Sequence, residues 1–123
     1  MLPTVRPLVE RMVDAKRALD EAQVRSEAIA ARITGNGGGL PPAKLAEVHD
    51  EVSRAATELA RTLEEVQATG VIVKDLDSGL VDFPGTRTSG EPILLCWRLG
   101  EDEVAWWHTE QDGFGGRRPL DEL

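Results

Sequence analysis

The chain has 123 residues, a formal net charge of −8, 41% hydrophobic and 29% charged side chains. These proportions suit one globular domain: too apolar for a disordered chain, and without the apolar run of about 20 residues that a membrane span needs. Residues 1–69 carry nine basic and eleven acidic side chains, and residues 70–123 carry five and eleven, so most of the negative excess lies in the second half. A general phosphate-backbone binder needs a basic face, so nucleic acid is not the expected partner.

The start, MLPTVRPLVERMVDAK, is charged early and lacks the apolar core of a signal peptide. The single cysteine, Cys96, has no internal partner for a disulfide. Both features lead us to expect a cytoplasmic protein.

Val5, Leu8, Met12, Ala15, Leu19, Ala22, Ser26, Ile29 and Ile33 recur at alternating steps of three and four. This is the seam of a coiled-coil-like helix, expected over 5–34. GNGGGLPP (35–42) breaks it, and the spacing resumes through Leu45, Val48, Val52, Ala55, Leu59, Thr62 and Val66, for a second helix over 43–69. Gly70 is placed to end that helix. Two seams joined by a short breaker make an antiparallel hairpin. Val9 and Val13 widen the first stripe near its start, and Ala56, Ala60 and Leu63 widen the second near its end. A third element should pack there, leaving the glycine-loop end as a projecting arm.

Residues 70–123 supply that element. VIVKDL (71–76) and LVDFP (80–84) flank Asp77-Ser78-Gly79, and PILLCWRL (92–99) and EVAWWHTE (103–110) flank Gly100-Glu101-Asp102. Turn residues between β-branched and aromatic runs predict four antiparallel strands and a C-terminal loop. The whole chain then reads as one α+β domain: a long helical hairpin followed by a small four-stranded antiparallel sheet. If Arg98 faces Glu103 as a cross-strand ion pair, Trp97 faces Val104, Leu95 faces Trp106 and Ile93 faces His108, while Leu94, Cys96, Ala105 and Trp107 take the other face. Both faces are apolar and the helices can cover only one. The other needs the C-terminal tail, a second protomer or a ligand.

The blocks GVIVKDLDSGLVDFP, LLCWRLGE, WWH and GFGGRRPL resemble an uncharacterised prokaryotic domain family of unknown function. Its pattern is matched here at Gly70 to Asp75, Gly79 to Pro84, Leu95 to Trp97, Trp107-His108 and Gly113 to Arg117. The resemblance spans the chain and implies a helical hairpin followed by this block. It carries no activity, substrate or cofactor.

Several residues are candidates for chemistry. His108, with Asp82, Glu91, Glu110 or Asp112 nearby, suits a divalent cation or an acid/base pair, or else a ring packed at a strand end. The spacing matches no standard metal motif, and one Cys with two His disfavours structural zinc, so neither metal nor cofactor is expected. Cys96 is a nucleophile beside His108 or a small core residue. Asp75 reads as a turn cap. Asp82, unusual in a strand, wants Lys74, Arg117 or Arg118 as a partner. In GFGGRRPL, Gly115, Gly116, Arg117 and Arg118 make either an anion-binding loop or a tight turn of the tail. Trp106 and Trp107 should point to opposite faces, with Trp107 among the ligand-wall candidates. His49 flanks the seam.

These observations favour a non-enzymatic interaction or oligomerisation module. It would be a homodimer with no membrane role, using the arm for a protein partner and the second apolar sheet face. The alternative is a small-ligand or metal-dependent enzyme around Asp82, His108 and Arg117, with a tryptophan as one wall. A third possibility, an RNA- or ribosome-associated factor, rests on Arg117, Arg118 and a tryptophan.

Overall fold

The seams form where expected. A computed structural model describes residues 1–36 and 42–123, with helices α1 at Leu2–Asn36 and α2 at Pro42–Ala68. Most of the breaker at 35–42 therefore lies outside the described residues. α1 starts three residues earlier than expected, because a helix tolerates proline in its first turns: Pro7 forgoes a single bond, to the Pro3 carbonyl. Thr4 and Val5 donate their N–H groups to the Met1 carbonyl. At about 1.5 Å per residue the two helices are roughly 40 to 50 Å long. Among the described residues no helix is long and apolar enough to cross a membrane.

Val5, Met12, Ala15 and Ala22 of α1 are buried, and so are Val48, Thr62 and Val66 of α2. The Thr62 hydroxyl is satisfied by the Glu58 carbonyl, 2.9 Å away. Val9 and Val13 are buried too, as the wide stripe on α1 requires. The matching stripe on α2 holds only at Leu63, which is half-buried against the main core, while Ala56 and Ala60 are exposed. The sheet leans on α1. The main core joins Val5, Val9, Met12 and Val13 to Val71, Val81, Phe83 and Trp97, while α2 adds Val66 as its fully buried member. Gly70, at φ 95°, ends α2 in the left-handed conformation.

Among the described residues the sheet has five strands in the order β1-β2-β3-β4-β5, each antiparallel to its neighbour. They are β1 Ile72–Asp75, β2 Leu80–Thr86, β3 Pro92–Arg98, β4 Trp106–His108 and β5 Arg118–Pro119. The fifth is a short piece of the tail, expected as loop, that pairs with β4. In the β1–β2 turn the Asp75 carboxylate accepts from the Ser78 N–H at 2.9 Å and from its hydroxyl at 2.5 Å, which bears out the turn cap.

The register between β3 and β4 differs from the expected one by one residue. Leu94 faces His108, Leu95 faces Trp107 and Cys96 faces Trp106. Arg98 pairs with Leu80 of β2, and residues 101–105 are not strand, so no Arg98–Glu103 ladder pair forms. The connection is wider than a tight hairpin. Glu101 accepts the Arg98 N–H through its side chain at 2.8 Å, and its carbonyl accepts from the Trp97 indole at 2.9 Å. A one-residue slip moves every side chain of a strand to the other face. Trp107 therefore shares the helix-side face with Leu95, Trp97, Val81 and Phe83. His108 and Trp106 join Cys96, Leu94 and Asp82 on the face away from the helices.

Candidate functional site

The outward face is where the unusual residues meet. Asp82 lies opposite Cys96, whose strand neighbour Leu94 lies opposite His108, so three adjacent strands deliver three polar side chains to one spot. Asp82, Cys96 and His108 are 1%, 1% and 3% exposed, unlike the half-buried Trp106 on the same face. The C-terminal segment covers them. After His108 the chain turns through Gly113, runs back as β5, and lays the Arg117 guanidinium 4.6 Å above the Trp106 ring. Of the three covers the sequence allowed, this part of the face uses the tail of its own chain.

His108 makes two contacts that fix its ring. Nδ1 lies 2.7 Å from the Thr109 carbonyl, which can only accept, so Nδ1 carries a proton. Nε2 lies 3.1 Å from both Asp82 carboxylate oxygens, within hydrogen-bond reach of each. Lys74 Nζ sits 4.0 Å from Asp82 on the exposed side. Burial and the neighbouring Asp82 charge push the Cys96 thiol up to about 11, which leaves too little thiolate at neutral pH for a free nucleophile. The acceptor atoms of Asp82, Cys96 and His108 all lie within 4.8 Å of one another.

Lys74, Leu80, Asp82, Cys96, His108 and Gly113 line a cavity of about 120 Å³. That volume suits a ligand of a few heavy atoms.

The other candidates lie elsewhere. Arg117 donates to Glu101 at 2.9 Å instead of to Asp82. Arg118 reaches Asp112 at 4.0 Å and stacks 5.4 Å from the centre of the Trp107 ring. Trp107 is buried on the helix-side face, its indole N–H donating to the Pro119 carbonyl at 3.0 Å, while Trp106 takes the outward face. Gly116 is tight: a Cβ there would meet the Asp112 Cβ at 2.5 Å, whereas Gly115 has open space. This loop is the tight turn of the tail. His49 is exposed. Of the partners expected for Asp82, Lys74 is near it, and His108 supplies the closer contact. Cys96 joins the pair only through the observed register.

The fold and site together define a class: an α+β domain in which a helical hairpin backs a five-stranded meander, with a buried Asp–Cys–His cluster on the far face. The chain belongs to a family of uncharacterised conserved proteins, DUF2203, whose model matches residues 1–120. No curated protein and no solved structure matches it.

Proposed function

We propose that the domain binds and transforms a small carboxylate in the cavity beside Asp82 and His108. The carrying observation is the buried Asp82–His108 pair, in contact at 3.1 Å at the wall of a cavity of about 120 Å³. A dyad of this kind is fit to give or take a proton at a bound molecule. Lys74 supplies the sign of the ligand. Its ammonium lies 4.0 Å from Asp82 on the exposed side of the lining and is the cation that an anionic ligand entering the cavity would meet. An acetate-sized anion fits both the volume and that charge. In this role Lys74 takes the place that the sequence assigns to Arg117. The homodimer drew on an open second sheet face, and burial of Asp82, Cys96 and His108 within the single chain weakens that support there, while the partner along the arm rests on the hairpin and is untouched by it.

The test is a titration of metal-stripped protein with acetate and glycolate, beside their neutral amides, followed by amide NMR and thermal shift. Saturable shifts around His108 with the acids alone, weakened about tenfold or more in Lys74→Ala, are expected. Equal response to acids and amides, or an unchanged Lys74→Ala titration, would overturn the reading.

A further inference from the structure

We propose that Asp82, Cys96 and His108 form a three-residue site for a divalent transition metal of the zinc class, with an open coordination position facing the cavity. This rests on the reading of the cavity as the functional site and names the cofactor that would work there; the metal would displace the Cys96 thiol proton and any proton between Nε2 and Asp82, so the dyad chemistry belongs to the metal-free protein.

Geometry comes first. One carboxylate oxygen, one imidazole nitrogen and one sulfur, from β2, β4 and β3, lie within 4.8 Å of one another. Metal–ligand bonds of about 2.0–2.3 Å in a tetrahedron place ligand atoms roughly 3.3–3.8 Å apart. The His108–Asp82 separation of 3.1 Å is already close to that edge. The widest gap needs to close by about 1 Å, within reach of small χ changes in three side chains.

The surroundings fit as well. A ligating histidine ordinarily donates its other ring N–H to a fixed acceptor, which orients the ring and frees the remaining lone pair. His108 does this: Nδ1 is tied to the Thr109 carbonyl at 2.7 Å, and Nε2 faces Asp82. The charges also balance. A carboxylate and a thiolate neutralise a divalent ion, so the buried centre carries no net charge. The donor set selects the ion, since sulfur and nitrogen disfavour magnesium and calcium and suit zinc. Three protein ligands leave a fourth position of a tetrahedral ion. The cavity, bordered on its other sides by Lys74, Leu80 and Gly113, is where that position opens. Such a centre polarises a bound carboxylate or water.

The test uses the full chain, stripped of metal, titrated with Co²⁺ and followed in the near-ultraviolet and visible. The expected result is a 1:1 complex with tetrahedral ligand-field bands and a thiolate-to-cobalt charge-transfer band, displaced by Zn²⁺. Cys96→Ser should abolish the charge-transfer band. His108→Asn and Asp82→Asn should weaken binding about 100-fold or more, and Lys74→Ala should leave the complex formed. Wild-type protein that shows no charge-transfer band at millimolar Co²⁺ overturns the proposal without depending on any variant's folding, and so does an unchanged spectrum in Cys96→Ser. If the band is absent while carboxylates still shift the metal-stripped protein, the metal assignment falls and the cavity reading stands. A cobalt complex without any carboxylate response would sink only the latter.

Discussion

Asp75 and Asp82 show how one residue type serves two ends within a few positions. Asp82 is buried in a strand and held by His108. Asp75 sits in the β1–β2 turn, where the Ser78 hydroxyl and then the Ser78 N–H hold its carboxyl below its ordinary value of 3.8. A depressed folded-state value means that the charged form stabilises the fold. That contribution is present above pH ~3.8 and fades as pH falls through the lower folded value. Asp75→Ala should therefore lower the urea midpoint clearly at pH 6. The gap to wild type should shrink at pH 3 and below. Parallel losses at both pH values would show that the carboxylate charge is not what matters.

At the scale of elements, the β1–β2 turn is also where the sheet is pinned to α1. Gly79 has φ 72°, and a Cβ there would meet Leu99 at 2.9 Å, Val9 at 3.0 Å and Val13 at 3.1 Å. Gly90, in the β2–β3 turn, has φ 92° but open space around it. An L side chain at positive φ costs about 1–2 kcal/mol, and crowding of a packed contact adds roughly 1–3. Gly79→Ala should lose about 2–4 kcal/mol in urea unfolding and Gly90→Ala about 1. Equal losses would show that the contact of the turn with α1 is loose.

At the scale of the molecule, the tail decides what the outward face becomes. Gly113 lines the cavity beside the cluster, β5 extends the sheet past β4, and Arg117 covers Trp106 on the same face. Deleting residues 111–123 should leave the helical signal in circular dichroism nearly intact, because the helices pack on the other face. It should also raise the rate at which Cys96 reacts with a thiol reagent by roughly tenfold or more. An unchanged rate would mean that strands alone bury the thiol.

The helices, the turn cap at Asp75 and the strand runs could be read directly, because seam spacing, glycine and β-branched runs act over a few residues. The opposition of Trp106 and Trp107 followed from alternation alone. The cluster could not be read this way. Asp82, Cys96 and His108 are 14 and 12 residues apart along the chain, a spacing that matches no motif, and their meeting depends on strand pairing. An ion pair between Arg98 and Glu103 was a reasonable guide to that pairing, yet it separates Cys96 from His108. A wider connection around Glu101 shifts the register by one residue and puts them on one face. Sequence thus determined the elements and that one sheet face would need a cover. Tertiary structure alone decided which side chains share that face and that the tail covers them, because register and docking are set by contacts between segments far apart in the chain.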